Sequence, residues 1–223
     1  MSRVIRRWIA ALGVAAVVAS APALAADRAS MLMDGRAIVA KMVERNPNLQ
    51  TFSARVHVDV RMLNFPWLSP KLDGSVYFKR GTGYEVVFDR TPFYARNFRK
   101  IFADVGDPQA WLRRDEISVI GMPVVGGRQL LELRLVRKKH SATLAYALAF
   151  VDPSTYELVR MEWHYTNGGT IVMTQTYRSE GGFDLLAEQH AVIDIPHVRA
   201  VAEAQYGDYH ANIALGDSIF GRP

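Results

Sequence analysis

The sequence predicts a mainly β protein whose antiparallel sheet is either closed as a barrel or strongly curled around a few helices. From Phe52 to Met62, apolar and polar side chains alternate without exception, as they do in a strand with one buried face. Similar segments follow at short intervals, separated by turn signals such as Asn167-Gly168-Gly169. Helical spacing is confined to a few short stretches. We therefore expect nine or ten strands, many of them adjacent in sequence.

The first 25 residues are predicted to be a cleaved secretory signal peptide. Three arginines precede an apolar run from Trp8 to Ala19, which is short for a membrane span, and Ala23-Leu24-Ala25 is a small-x-small cleavage signal. The mature chain would then begin at Ala26, in the periplasm. Removing the three arginines lowers the formal net charge from +5 to +2, which leaves no basic character to indicate nucleic-acid binding.

The mature chain, residues 26–223, is predicted to form a single domain. No linker rich in proline, glycine or serine divides it. The sequence has no cysteine, so the fold has no disulfides and no cysteine after the cleavage site can be acylated. Stability must come from the core.

The N-terminal third of this domain has a helix followed by strands. Asp34 to Arg45 has a capping residue and one apolar stripe, and Asn46-Pro47 ends it. After the Phe52 strand comes a loop, Asn64 to Asp73, whose Phe65, Trp67 and Leu68 are expected to pack against the protein. Two strands, Gly74 to Arg80 and Tyr84 to Asp89, are joined by Gly81-Thr82-Gly83.

The middle of the domain has a mixed pattern, whereas the C-terminal part has regular strand alternation. Between Thr91 and Val125 there is helical spacing around Phe98 to Phe102 and again from Asp107, and Ile117 to Val125 is either a strand or a loop. Strands then recur to the end. The segment from Leu144 to Phe150 is apolar on both faces and so is expected to be central. The other strands are expected at Leu131–Leu135, Val159–Tyr165, Thr170–Arg178, Gln189–Ile195 and Arg199–Asn212, the last with a break near Gly207.

No catalytic, metal or cofactor site is predicted. The six histidines are scattered, without metal-ligand spacing or an accompanying carboxylate cluster. There is no Gly-x-Ser-x-Gly elbow, phosphate loop or cysteine nucleophile. The abundant Phe, Tyr, Trp and Met residues could fill an ordinary core or line a cavity for an acyl chain, and the composition does not separate these alternatives.

Several stretches together resemble the periplasmic lipoprotein carrier family, the LolA-like outer-membrane lipoprotein-sorting proteins. They are the export signal with its following helix and strands, Ala149-Phe150-Val151-Asp152-Pro153-Ser154-Thr155 with Leu158 to Trp163, and the closing segment Tyr206 to Phe220. The resemblance implies an unclosed antiparallel barrel lidded by helices. It also implies a monomer whose hydrophobic cavity shields lipid or lipoprotein acyl chains between inner-membrane export machinery and an outer-membrane acceptor.

The resemblance also assigns roles to residues of this sequence. Arg80 matches an arginine that helps to hold the lid closed. The apolar faces of the strands supply the candidate cavity-lining residues: Val56, Val58, Val60, Met62, Val76, Phe78, Val86, Phe88, Leu133, Leu148, Met161 and Trp163. This chain departs from the family pattern at Gly81, where a proline is usual, and over Arg96 to Trp111, which looks helical. A carrier of another lipid, or a sensor or scaffold of the same fold that binds a protein partner, therefore stays an alternative.

Overall fold

A computed structural model describes residues 34–90 and 105–220 of the chain. The predicted signal peptide and the helical spacing around Phe98 to Phe102 lie outside these residues. The described elements are α1 (Gly35–Glu44), β1 (Thr51–Met62), β2 (Lys71–Lys79), β3 (Gly83–Phe88), α2 (Pro108–Arg114), β4 (Asp115–Gly121), β5 (Val124–Val125), β6 (Arg128–Gln129), β7 (Leu131–Arg137), β8 (Leu144–Val151), β9 (Leu158–Tyr165), β10 (Thr170–Glu180), β11 (Phe183–Ile195) and β12 (Val198–Ala211), with a 3-10 turn at Asp217–Ile219.

Ten of the strands form one antiparallel sheet, in the order β3-β2-β1-β12-β11-β10-β9-β8-β7-β4. Among the strands of residues 34–90 and 105–220, almost every neighbour in this order is also a neighbour in sequence, and the pairing of β1 with β12 joins strands far apart in the chain. The strands at the two edges, β3 and β4, are not paired with each other, so the sheet is an open barrel. The predicted fold class, a curled antiparallel sheet lidded by helices, is confirmed.

The core fills the concave side of this sheet. In β1 every second side chain from Phe52 to Met62 is buried, as the alternation predicted. Helix α1 contributes Ile38, Val39 and Met42, and α2 contributes Trp111, to the same cluster of buried residues. Both helices begin as predicted, because the side chains of Asp34 and Asp107 accept hydrogen bonds from backbone N–H groups of the first turn. In the described ranges 34–90 and 105–220, no helix is long and apolar enough to cross a bilayer.

Several predicted strand boundaries are corrected. The hairpin of β10 and β11 extends to Glu180 and Phe183, because Gly181 and Gly182 both have positive φ and form a tight turn between paired residues. The predicted break near Gly207 does not occur. Instead β12 carries one extra residue opposite β1 at Asp208, whose φ is +52°, and this bulge allows the strand to continue.

Two packing predictions are also corrected. Strand β8 is third from the β4 edge rather than central, and Leu148 faces away from the core, because Ala147 and Ala149 point inward. In the loop after β1, Leu68 packs against the core, but Phe65 and Trp67 are exposed. Hydrogen bonds from Leu63 to Arg199, in the first residues of β12, and from Asn64 to His197, just before it, hold the start of the loop.

Candidate functional site

Helix α1 covers part of the concave face, and Arg80 fastens its C-terminal end to β2. The guanidinium of Arg80 donates from Nε to the Leu49 carbonyl (3.0 Å), from Nη1 to the Val43 carbonyl (3.3 Å) and from Nη2 to the Asn46 carbonyl (2.6 Å). The last carbonyls of a helix have no partner within the helix, and a cation next to them is favourable. One side chain therefore stabilises both the end of α1 and the segment that follows it.

A second group of contacts holds the same end of α1 to the opposite wall of the barrel. Arg45 pairs with Glu157 at 2.9 Å, and its guanidinium lies 4.5 Å from the centre of the Tyr177 ring. The Asn46 side chain exchanges two hydrogen bonds with the Asp184 backbone, at 2.9 and 3.0 Å. The helix thus bridges the β2–β3 hairpin on one side and the β10–β11 hairpin on the other through polar contacts.

A cavity of about 140 Å³ lies beneath this polar closure. Its walls combine aliphatic and aromatic side chains from α1, from the strands and from the segment before α2. Phe52 is central, with its ring stacked on Phe78 at 5.3 Å and edge-on to Tyr209 at 5.4 Å. Gly106 allows Tyr84 to approach, because a Cβ there would lie 2.4 Å from the Tyr84 ring. The apolar lining consists mainly of Met42, Leu49, Phe52, Phe78, Tyr84, Val105, Leu185 and Leu186.

A chain of neutral polar side chains, termed here the polar ladder, runs beside the cavity: Tyr84, Tyr206, Gln189, Gln175 and Tyr177. Tyr84, Gln175 and Tyr177 line the cavity, and the other two are buried behind it. Tyr84 lies beside Tyr206 at one end of the ladder, and the two hydroxyl groups interact. Tyr206 donates to Gln189 Oε1 (2.5 Å), Gln189 donates to Gln175 Oε1 (2.9 Å), and Gln175 donates to the Tyr177 hydroxyl (2.5 Å). The ladder crosses the interior from the β3 edge through β12 and β11 to β10.

The ladder is electrically neutral. Burial raises the pKa of Tyr84 and of Tyr206 well above the usual value for tyrosine, and burial likewise raises the pKa of Tyr177 to about 12. All buried side-chain nitrogen and oxygen atoms of the described residues have hydrogen-bond partners. Tyr84, Gln175 and Tyr177 therefore offer neutral hydroxyl and amide groups to the cavity, whose charged lining residues are Arg45, Arg80, Asp107 and Asp184.

A larger groove of about 620 Å³ runs along the open side of the barrel, between β3 and the ends of β8 and β9. Trp163, Tyr165 and Phe220 give it apolar surface. It is also lined by Glu85, Asp107, Arg114 and Arg137, so much of its surface is charged. The cavity under α1 also has charged residues in its lining, namely Arg45, Arg80, Asp107 and Asp184, but apolar side chains form a greater part of its wall. It is therefore the better candidate site for an apolar ligand.

Most of the residues predicted to line a cavity are instead packed inside the core. Phe78 lines the cavity under α1, and Trp163 lines the larger groove. Leu148 lies on the outer face. The other nine are buried in the core cluster: Val56, Val58, Val60, Met62, Val76, Val86, Phe88, Leu133 and Met161. Their assignment as ligand contacts stays a prediction, and it requires the packing above them to open.

The glutamines of the polar ladder were missed at the level of sequence, although strand periodicity contains the signal. Gln189 has the same parity in β11 as the buried Ala191 and Ile193, and Gln175 has the same parity in β10 as Ile171 and Met173. Side chains of one parity share one face of a strand. Once the bounds of a strand are known, the alternation alone shows that such a glutamine faces the interior.

The histidines of the strands lie on the outside of the barrel. His57 contacts Asp73 (2.7 Å) and Asp59 (3.4 Å), and His164 stacks on Tyr146. Both histidines therefore interact with other side chains of the outer surface. Over residues 34–90 and 105–220, no group of three histidine or acidic side chains is placed to hold a metal ion.

Comparison with known proteins identifies the fold. No protein-family model and no curated protein matches the chain. A DUF1329 family protein from Desulfovibrio piger superposes with a TM-score of 0.64 at 11% identity, covering 87% of this chain and 97% of that one. A LolA superfamily protein from Nitrosomonas europaea gives 0.63 at 13% identity, with coverages of 85% and 98%. A putative outer membrane lipoprotein-sorting protein domain from Vibrio parahaemolyticus gives 0.63 at 11% identity, with coverages of 84% and 96%.

At these identities the likeness shows the fold alone. The three structures are matched over nearly their whole length, so the similarity concerns the complete open barrel with its helices rather than a shared hairpin. The resemblance to LolA-like proteins that the sequence indicated is therefore confirmed at the level of fold.

Proposed function

We propose that this protein is a periplasmic carrier that shields the acyl chains of a lipid or lipoprotein beneath α1, for transfer towards the outer membrane. The observation that carries the proposal is the apolar cavity under α1 together with its polar closure by Arg80, Arg45 and Asn46. The fold shared with a lipoprotein-sorting domain supports it. Binding would bury apolar surface, at about 0.8 kcal/mol per methylene, and needs no covalent step.

The size of the cavity determines how such a carrier would work. A volume of 140 Å³ is close to the roughly 150 Å³ cavity that, in an engineered protein, binds a single benzene molecule. An acyl chain of ordinary length needs several times more space. In the proposed mechanism α1 therefore moves outward, the contacts of Arg80 and Arg45 break, and the chain extends over the core residues that α1 now covers. Cargo is released when a partner or a membrane binds it more tightly.

The closure can be tested directly, because the chain contains no cysteine. The Asn46 side chain contacts the Asp184 backbone, so an Asn46→Cys/Asp184→Cys pair is placed to test a disulfide that locks α1 down, and mass spectrometry of the oxidised protein checks that the bond forms. A fluorescent hexadecanoic acid is the probe. We expect the oxidised double variant to bind little probe and the reduced form to bind at least as well as wild type, because it lacks the two Asn46 hydrogen bonds of the closure. Asn46→Cys alone is the control.

Native mass spectrometry of protein purified from its own periplasm provides the second arm of the test. Co-purifying lipid, removed by organic extraction, is the expected result. A protein without lipid that also fails to bind the fluorescent acid, oxidised or reduced, would contradict the carrier proposal.

One observation favours a second candidate function, a sensor or scaffold that binds a protein partner without transporting lipid. Nine of the predicted cavity-lining residues are packed in a continuous core, which is what a solid module of the same fold would show. This alternative predicts a stable partner in a pull-down from the periplasm. It also predicts that the Asn46→Cys/Asp184→Cys lock leaves partner binding unchanged.

A further inference from the structure

The loop between β1 and β2 exposes a cluster of large apolar side chains. Trp67 is 82% exposed, Leu63 43% and Phe65 41%. The rings of Phe65 and Trp67 lie edge to face, with centroids 5.9 Å apart, so they form one surface rather than two separate side chains. This segment, residues 63–68, is termed here the aromatic loop. Clustered exposed apolar side chains, unlike isolated ones, indicate contact with something outside the protein.

The aromatic loop is held firmly in its exposed position. The Leu63 N–H donates to the Arg199 carbonyl at 2.7 Å, and the Asn64 side chain both donates to the His197 carbonyl (2.8 Å) and accepts from the Arg199 N–H (3.2 Å). Leu68 packs against the core beneath it. The start of the loop is thus tied to the β11–β12 turn.

The charges around the aromatic loop indicate what it contacts. From Arg61 to Lys71 the chain contains these two cations and no carboxylate, and Arg199 lies beside Leu63. Lys71 pairs with Asp59 (3.4 Å) and Arg199 with Asp194 (3.6 Å), but all four side chains are exposed, and such pairs are weak. Aromatic rings flanked by basic side chains are typical of surfaces that bind the headgroup region of an anionic bilayer.

We infer that the aromatic loop docks the protein on an anionic lipid bilayer, with Trp67 and Phe65 entering the headgroup region and Arg61, Lys71 and Arg199 facing the lipid phosphates. This surface lies at the Met62 end of β1, whereas the cavity under α1 lies at the Phe52 end. At about 3.3 Å per residue, the strand from Phe52 to Met62 separates the two by up to roughly 30 Å. Docking by the loop would therefore leave α1 free to open.

Co-sedimentation with phosphatidylglycerol-rich vesicles tests this inference. We expect wild-type protein to bind these vesicles and to bind phosphatidylcholine vesicles more weakly. The Phe65→Ser/Trp67→Ser variant should lose about tenfold or more in apparent affinity, because two rings no longer enter the interface. Val124→Ser is the matched control, since Val124 is 70% exposed in β5, away from the loop, and the change should have no effect.

Fluorescence provides a readout that does not depend on pelleting. Trp111 and Trp163 are buried, so brominated lipids should quench the emission of Trp67 selectively. Equal binding by wild type and the double serine variant, or no quenching, would overturn the inference. So would a dimer that light scattering detects for wild type and not for the variant, because the loop would then be a protein interface. Vesicle binding by a protein that carries no lipid would leave the docking surface in place and contradict only the carrier function.

Discussion

Replacing Arg80 should weaken the closure of α1 more than replacing any surface arginine would. The guanidinium of Arg80 is half-buried and donates to three carbonyls at 2.6 to 3.3 Å. A hydrogen bond from a charged group contributes on the order of 1 to 3 kcal/mol, and shared bonds at one site do not add fully. We therefore expect Arg80→Met to lower the free energy of unfolding by about 2 to 4 kcal/mol. Urea denaturation followed by circular dichroism measures this change.

The effect should also be local. Amide hydrogen exchange of α1 is expected to accelerate in Arg80→Met well before that of β1, because α1 loses its fastening while the sheet keeps its pairing. Binding of the fluorescent hexadecanoic acid should become faster for the same reason. Arg80→Lys is an informative intermediate, since it keeps the charge but lacks the planar donors that reach three carbonyls at once.

Arg55→Met is the matched control. Arg55 also forms hydrogen bonds, to Ser75 and Asp89, but it lies on the outer face of β1 and both it and Asp89 are about half exposed. Exposed ion pairs contribute about 1 kcal/mol or less, so this variant should be nearly as stable as wild type. If Arg80→Met were no less stable than Arg55→Met, and its α1 amides exchanged as in wild type, the assignment of Arg80 as the fastening of α1 would be wrong.

Three further predictions follow from buried groups. Val58→Asp should prevent folding, because Val58 is fully enclosed by the core, whereas Val58→Ala should fold with a loss of roughly 1 to 3 kcal/mol in the free energy of unfolding. Circular dichroism distinguishes the two outcomes. A folded aspartate variant would mean that the core around residue 58 is open. Gln189→Leu should cost about 1 to 3 kcal/mol in urea denaturation, because its partners in the polar ladder are left without hydrogen bonds, and a neutral effect would show that the ladder contributes nothing to stability. Asp152→Asn should destabilise the protein at neutral pH but not in strong acid, as thermal unfolding at a series of pH values would show.

The sign of the Asp152 prediction follows from its surroundings. Burial opposes ionisation of this carboxyl, but hydrogen bonds from the side chain and backbone of Ser154, from Arg128 and from the Thr155 N–H outweigh it and hold its pKa well below the ordinary 3.8. A depressed pKa stabilises the folded state at pH values above the unfolded pKa, and this contribution is lost as the pH falls through the folded value. A difference between wild type and Asp152→Asn that did not shrink below about pH 4 would contradict this account.

The parts of the fold that the sequence predicted well are those governed by local rules. The alternation in β1, the caps at Asp34 and Asp107, and the turn of Asp152 to Thr155 each depend on residues close together in the chain. Their backbone preferences and hydrogen bonds are the same in most surroundings, so the patterns were sufficient.

The predictions that were wrong concern residues whose positions depend on contacts between distant parts of the barrel. Leu148 was assigned to the concave face because it is large and apolar, but a strongly curled sheet crowds its inner side chains, and the small Ala147 and Ala149 occupy those positions instead. Trp67 was expected to pack, and whether a loop has a neighbour to pack against depends on strands far away in sequence. The position of the cavity likewise depends on α1, β2 and β10 meeting in space.

The long-range pairing of β1 with β12 has a consequence for how the chain folds. Phe52 pairs with Ala211 and Met62 with Ala200, partners 159 and 138 residues apart in sequence. The β1–β3 segment and the meander from β7 to β12 can each form from local contacts, but joining them closes a very long loop, which is slow. Until β12 emerges, β1 presents an unpaired apolar edge that invites aggregation. A chain cut before Val198 should therefore aggregate, and the complete chain should benefit from a chaperone until its last strand is available.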